Sequence, residues 1–497
     1  MQYTQKDIET IVAEVVKNVL GAGASATKAA TETAANSCSC PEGALDLSAP
    51  TVITCGRCGI FDRMEDAIEA AYQAQRTYYS SFQLKDREKI IQAIRDITRK
   101  EAKTLARMVF EETGLGRYED KIAKHMVVIE KTPGPSIITP EAVSGDDGLT
   151  LEEYAPFGVI GAITPVTNPT ETLINNAISM LAAGNSVVFN VHPQSKKCCA
   201  YCVELINTAI MKEGGPEHLV TMVKEPTLET SDIMAKHPKI RLLSCIGGTA
   251  MVNALLRSGK KVVGAGAGNP PVIVDETADL KKAAREIFAG ASFDNNILCI
   301  AEKSIFALEQ ITDELIYNLV QEGAFLLSAA QTKKVIDLVL SSKDGVNFTP
   351  NKSWIGKDAG KILEAVGITG RDDCRLIICE TDFSHPLVQL EQLMPVLPIV
   401  RCKDFDQACT FAAESEHGYR HTASIFSRNV YNMTKFAKMV ETTIFVNNSS
   451  TLAGVGYGGE GGGTMGIAGP TGEGATNALT YTRKRRFVLA DGGFRVI

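Results

Sequence analysis

The sequence predicts an α/β protein with two parallel sheets and a cleft between them. From residue 159 onward, short apolar runs alternate with helical patterns, and 159–164, 186–191, 219–223 and 241–245 are candidate strands. Near-continuous apolar strands of this kind belong in a parallel sheet covered by helices on both faces. A second set follows residue 271, with candidate strands at 303–307, 396–400, 423–426 and 443–446. At 497 residues the chain is long enough for two or three domains, and clefts between domains are favoured ligand sites.

The elements follow in order. Within residues 1–20, Ile8, Ile11, Val12, Val15, Val16, Val19 and Leu20 recur at three- and four-residue steps, the spacing of one apolar helical face. Thr4 with Asp7 reads as a capping box, and Gly21 and Gly23 stop the helix. Residues 21–50 are expected to be a flexible linker, since 21–43 are mostly Ala, Gly, Ser and Thr and cannot bury enough surface to order themselves. A short amphipathic helix on such a tether either docks on a partner or packs back on the main body. That body begins near Thr51. Residues 62–131 read as helices, with Ile90, Ile91, Ile94 and Ile97 at helical steps. The glycine-rich stretch 454–474 is expected to be a mobile loop passing near a site, not a phosphate loop.

Charge and composition exclude several classes. A net charge of −7 with no long basic stripe argues against a nucleic-acid binder. No apolar stretch is long enough to span a bilayer. Asp7, Glu9 and Glu14 interrupt the N-terminal apolar residues, so no secretory signal is expected. Thirteen cysteines, an odd number, fit reduced thiols in a cytoplasmic setting. Cys38-x-Cys40 and Cys55-x-x-Cys58 together could offer four thiolates to a metal, but the first spacing is short and no histidine is near, so no metal is assigned. Cys198, Cys199 and Cys202 read as packing residues on a helix.

Cys299 carries the chemistry. It lies in Phe293-Asp294-Asn295-Asn296-Ile297-Leu298-Cys299-Ile300-Ala301-Glu302-Lys303, between an amide-rich turn and a new apolar run. A lone cysteine is more often a small core residue. At a cleft edge, however, a thiolate attacks carbonyls well and neighbouring amides can hold the oxyanion. Upstream, Ile246-Gly247-Gly248-Thr249 follows a candidate strand and opens a helix, where small residues let a pyrophosphate approach backbone N–H groups. Lys261 to Gly264 then leads into Ala265-Gly266-Ala267-Gly268-Asn269-Pro270-Pro271.

With these segments, Pro156-Phe157-Gly158-Val159-Ile160-Gly161, the Thr164-Pro165-Val166-Thr167-Asn168-Pro169 turn and Glu391-Gln392-Leu393-Met394-Pro395-Val396 occur in an order that resembles the aldehyde dehydrogenase superfamily over most of residues 55–490. The finer resemblance is to the CoA-acylating aldehyde dehydrogenases of bacterial microcompartments. It implies a Rossmann-type NAD/CoA-binding domain (51–145 and 156–270) and a second α/β catalytic domain (271–450). Residues 146–155 and 451–497 would form a β oligomerisation arm with the glycine-rich loop, pairing subunits into a homodimer or homotetramer through 149–154 and 478–488. Hydrolytic relatives carry a glutamate in an E-L-G-G-K segment, whereas Gly264 to Asn269 here has no carboxylate. Without a base for water, a thioester on Cys299 should persist until the thiol of coenzyme A takes the acyl group.

The resemblance implies that Cys299, as thiolate, adds to a short-chain aldehyde. Its own N–H and the Thr167-Asn168 turn would hold the oxyanion, and the hydride would pass to NAD. Asn168 is preferred for its committed amide donor, although alignment with the wider superfamily favours Thr167. Gly247, Gly248, Thr249 and Gly266 would line the cofactor site, and Glu391 would hold the nicotinamide ribose. His192 stands where relatives have a ribose-binding lysine. Ser195, beside Lys196 and Lys197, replaces a glutamate common in NAD-preferring members, so NADP stays open. The N-terminal helix, residues 4–20, would dock on microcompartment shell or cargo proteins, placing the enzyme in the lumen. The competing readings are a hydrolytic aldehyde dehydrogenase and a non-catalytic cargo scaffold.

Overall fold

The computed structural model describes residues 58–492. The helix expected at 1–20, the linker at 21–50 and the thiols of Cys38, Cys40 and Cys55 lie outside the described residues. Among those described, no helix is long and apolar enough to cross a membrane, and no group of three or more His, Cys, Asp or Glu side chains could hold a metal ion.

After the short strand Ile60–Phe61 come four helices: Met64–Ser81, Leu84–Lys100, Ala102–Thr113 and Tyr118–Lys131. The second buries Ile90, Ile91 and Ile94 at helical steps, and a reciprocal Gln83/Asp86 capping box starts it. The third ends at Gly114, whose φ of 64° is the left-handed conformation that closes many helices. The helix Pro169–Ala182 begins with proline at its first turn, where the missing N–H costs nothing, and is buried on every side.

The α/β expectation is met. Six parallel strands form one sheet in the spatial order Ile60–Phe61, Val220–Val223, Ser186–Asn190, Val159–Ile163, Ile240–Ile246 and Lys261–Ala265. Successive strands run outward in one direction from Val159–Ile163 and in the other from Ile240–Ile246. The strand order therefore reverses between these two, and the loops leaving their carboxyl ends, 164–168 and 247–248, flank a crevice. A second parallel sheet has seven strands in the order Phe325–Leu326, Ile377–Glu380, Val396–Cys402, Ser304–Leu308, Pro271–Val274, Thr422–Phe426 and Ile444–Asn447. Both sheets pack apolar side chains against flanking helices, as continuous strand hydrophobicity requires.

A third sheet is antiparallel and joins Glu141–Gly145, Gly148–Pro156 and Thr482–Ala490. The C-terminal strand runs along its own chain over nine residue pairs, from Thr482 opposite Pro156 to Ala490 opposite Gly148. The segment expected to be strand from Ala478 begins instead with a 3-10 turn, Ala478–Tyr481, whose Ala478 and Tyr481 are buried. Within the glycine-rich stretch expected to be a mobile loop, residues 463–468 are packed, while 457–462 and 469–474 are largely exposed or half-exposed. Gly463 donates to the Lys131 carbonyl at 2.7 Å, and Thr464, Met465, Ile467 and Ala468 are buried. Cys198, Cys199 and Cys202 are buried on the helix Lys196–Lys212.

Candidate functional site

One cavity of about 360 Å³ lies where the carboxyl ends of the first sheet meet the amino ends of the second. Thr167, Asn168, His192, Gly247, Gly248, Gly266, Cys299 and Glu391 all line it. Thr249 begins the helix Thr249–Leu256 immediately after Gly248. The first-sheet residues sit just past their strands, as the strand-order reversal requires. Those of the second sheet precede theirs: Cys299 comes before Ser304–Leu308, and Glu391 before Val396–Cys402.

The Cys299 turn has an unusual backbone. Asp294, Asn295 and Asn296 all have positive φ, at 46°, 53° and 63°. Asn and Asp tolerate this conformation better than other L-residues, which gives the amide-rich sequence a physical reason. Long-range bonds hold the turn. Asp294 accepts from the Arg117 N–H at 2.6 Å, and its own N–H donates to Asp120 at 2.9 Å. Asn295 donates to the Gly356 carbonyl at 2.9 Å, and Asn296 to the carbonyls of Ala291 and Glu302 at 2.8 and 3.0 Å. Buried Lys303 donates to the carbonyls of Asn296 and Leu298, at 2.8 and 3.0 Å.

Cys299 is partly open to the cavity and enclosed elsewhere. Burial first, and then the Glu391 carboxyl, push its thiol up to about 12, against the opposing pull of Lys303 and of the N–H groups of Cys299 and Ile300. Burial therefore favours the protonated thiol at rest, and the thiolate expected as the attacking form is reached only when that proton leaves. Glu391 is half-buried in the cavity wall, where its Oε1 accepts from the Gly268 N–H at 3.3 Å. Burial pushes it up to about 7, while Lys303 pulls the other way. The strand-connecting stretch lacks a carboxylate, yet the cavity does not.

Asn168 is buried between two polar neighbours. Its Oδ1 accepts from Lys124 at 2.6 Å, and its Nδ2 donates to the Thr167 hydroxyl at 3.2 Å. Lys124 is also paired with Asp294 at 2.5 Å and with Glu171 at 3.3 Å, and Lys121 reaches Asp294 at 3.3 Å. All four charged side chains are buried, so this network ties the Thr167-Asn168 turn to the Cys299 turn. His192 accepts the Gln194 N–H on Nδ1 at 3.2 Å, which leaves Nε2 as a donor. Burial lowers its pKa, so the ring is neutral. Ser195 is buried and donates to the His192 carbonyl at 3.0 Å, and Lys196 pairs with Glu225 at 2.5 Å. Neither lines the cavity.

Three site-region residues escaped the sequence reading: Lys124, Lys303 and His421. The His421 ring packs against Gly268, where an added Cβ would lie 3.0 Å from it and 2.6 Å from the Cys299 carbonyl. Burial depresses His421 to about 3, and its Nε2 has no partner among the described residues.

The chain is similar to known proteins over most of its length. The aldehyde dehydrogenase family model matches residues 58–484. An acetaldehyde dehydrogenase (acetylating) of Bilophila wadsworthia is 44% identical over the full length of both chains. A propionaldehyde dehydrogenase from the fucose utilisation bacterial microcompartment of Clostridium phytofermentans superposes with a TM-score of 0.85 at 49% identity, over 87% of this chain and 99% of that one. A propionaldehyde dehydrogenase of Rhodopseudomonas palustris, solved with bound CoA and an acylated cysteine, has a TM-score of 0.85 at 47% identity, over 87% of this chain and 98% of that one. On this evidence the chain belongs to the aldehyde dehydrogenase family.

Proposed function

We propose that this protein oxidises a short-chain aldehyde, propionaldehyde or acetaldehyde, with NAD and transfers the acyl group from Cys299 to coenzyme A. The observation that carries the reading is the single cavity in which the Cys299 thiol, the Thr167-Asn168 turn and the Gly247-Gly248 helix start face one another. The acylating relatives support the choice of coenzyme A as acceptor.

The Cys299 thiol loses its proton as Sγ bonds to the carbonyl carbon, and the C=O electron pair moves to oxygen. The Cys299 N–H and the free Nδ2 hydrogen of Asn168, with the Thr167 hydroxyl beside it, hold that oxyanion. The proton passes to solvent, because His421, depressed to about 3 and absent from the cavity lining, is too weak a base to take it. A bound nicotinamide would supply the hydride acceptor that lets the carbonyl re-form as a thioester on Cys299. The thiol of coenzyme A then adds to the thioester carbon, the bond to Cys299 breaks as the thiol proton is returned to its sulfur, and acyl-CoA leaves.

The residues fit the dinucleotide. A Cβ added at Gly248 would meet nothing within 4 Å, so the backbone at the helix start is open to a pyrophosphate. The Nε2 donor of His192 suits a ribose hydroxyl, and Glu391 suits the nicotinamide ribose. We assign NAD over NADP because Ser195 is buried and Lys196 is occupied by Glu225. The hydrolytic alternative gains one observation, the Glu391 carboxyl in the same cavity. Rates of NAD reduction with propionaldehyde, with and without CoA, separate the two. CoA-dependent turnover is expected; steady turnover in its absence would transfer the assignment to hydrolysis.

The reading extends to assembly. Residues 4–20 would dock on microcompartment shell or cargo proteins and place the enzyme in the lumen. Co-purification with shells should be lost when 1–20 are deleted; if it persists, the docking assignment fails. Exposed Val143, Phe487 and Val488 on the antiparallel sheet suit pairing with another subunit into a homodimer or homotetramer, which sedimentation tests.

A further inference from the structure

Lys124 and Lys303 are buried, and each places its ammonium on the oxygen end of an amide. Lys124 reaches the side-chain amide of Asn168, with Nζ 2.6 Å from Oδ1. Lys303 reaches the peptide that joins Leu298 to Cys299, with Nζ 3.0 Å from the Leu298 carbonyl oxygen. The nitrogen ends of these two amides are Asn168 Nδ2 and the Cys299 N–H, the two oxyanion donors assigned above. An ammonium can only donate, so its position fixes Asn168 with oxygen toward Lys124 and nitrogen away from it. A cation on the oxygen of an amide draws electron density from the nitrogen and makes the N–H a stronger donor, and chains of hydrogen bonds polarise one another most where water is excluded. We propose that Lys124 and Lys303 are positioning residues that orient and polarise the two arms of the oxyanion hole.

The surroundings keep both lysines charged. Burial opposes the charge of Lys124, but Asp294 and Glu171 overcome it and raise its pKa. Burial lowers Lys303 to about 8, and the Glu391 carboxylate pulls it back up. Lys121 is a built-in control: it is equally buried and shares Asp294, but its recorded hydrogen bond is to that carboxylate and to neither amide. The proposal rests on the assignment of Asn168 and the Cys299 N–H as donors, so the test must distinguish the two failures.

The experiment is infrared spectroscopy of the acyl-enzyme formed from carbonyl-labelled propionyl-CoA, which acylates Cys299 and releases CoA without any dinucleotide. Wild type is compared with Lys124→Gln, Lys303→Gln, Lys121→Gln and Asn168→Ala, each checked for folding by its unfolding transition. The thioester carbonyl band should shift to higher wavenumber in Lys124→Gln, Lys303→Gln and Asn168→Ala, and stay in place in Lys121→Gln. Acylation should slow about tenfold in each lysine variant, and Lys124→Gln should cause no further loss in an Asn168→Ala background. If either single lysine variant does not fold, the neutral pairs Lys124→Gln/Glu171→Gln and Lys303→Gln/Glu391→Gln are read for the same band. A band that moves in Asn168→Ala but in neither lysine variant overturns the proposal alone, as does an equal shift in Lys121→Gln. A band unmoved in Asn168→Ala overturns the donor assignment beneath it.

Discussion

The residues that line the cavity from the first sheet, among them Gly247, Gly248 and His192, include no charged side chain, whereas the second sheet contributes Cys299 and Glu391 with Lys303 directly behind them. The first wall presents backbone: an open helix start that asks only for small side chains. The second presents side chains whose protonation depends on burial and on partners far along the chain. A dinucleotide can bind to geometry alone, but bond-making needs groups whose charge the protein controls. Substitutions at the Gly247-Gly248 helix start should therefore change binding, and those on the second wall, together with the oxyanion donor Asn168 of the first, should change rate or stability.

The largest effect expected is from Cys299→Ala, which should lower CoA-dependent NADH formation by at least about a thousandfold while leaving the fold intact. Asn168→Ala should reduce kcat by about a hundredfold, chiefly in the acylation half-reaction, with a smaller change in KM for NAD. Asp294→Asn leaves Lys121 and Lys124 buried without one of their counter-charges. It should cost about 3–5 kcal/mol in urea unfolding, and a loss near zero would show that the network does not hold the Cys299 turn.

Glu302 gives a pH-dependent test of the second wall. It is buried, its Oε1 accepts from the Thr451 N–H at 2.8 Å, and burial raises it from 4.5 to about 7. The folded protein therefore binds this proton more tightly than the unfolded chain does. The resulting stabilisation is complete below about pH 4.5 and is lost as pH rises through about 7. Glu302→Gln keeps an acceptor without the titration. Its stability relative to wild type should rise from pH 4.5 to 8 by about 3 kcal/mol in urea unfolding, and a flat difference would contradict the raised pKa. The smallest effect is expected on the first wall. Gly248→Ala should leave stability within about 0.5 kcal/mol and kcat unchanged while raising KM for NAD a few-fold, since the new methyl meets no protein atom but stands toward the cofactor.

The same contrast explains what was legible in the sequence. The Gly247-Gly248-Thr249 helix start depends on neighbours in the chain, so its position after a strand could be read directly. Both parallel sheets were legible because strands buried on both faces need continuous apolar runs. The Asp294-Asn295-Asn296 run contained a usable signal, since these residue types favour positive φ, but its meaning as a left-handed turn emerged only with the fold. Lys124 and Lys303 could not be found from spacing: in sequence they are ordinary lysines, and the Asp294 that balances Lys124 lies 170 positions away. The upward push on the Cys299 thiol was hidden for a related reason, because desolvation and the distant Glu391 carboxyl are properties of the folded cavity. The packed residues 463–468 of the glycine-rich stretch show that composition alone did not reveal how Gly463 would meet Lys131.

Intact mass spectrometry of Cys299 during a single turnover tests acyl transfer through this thiol most directly. Enzyme mixed with propionaldehyde and NAD, without CoA, should gain one propionyl group on Cys299 and hold it, and added CoA should remove that group as stoichiometric propionyl-CoA. Release of free propionate before CoA is added, or NADH formation with no acyl group on Cys299, would contradict the account.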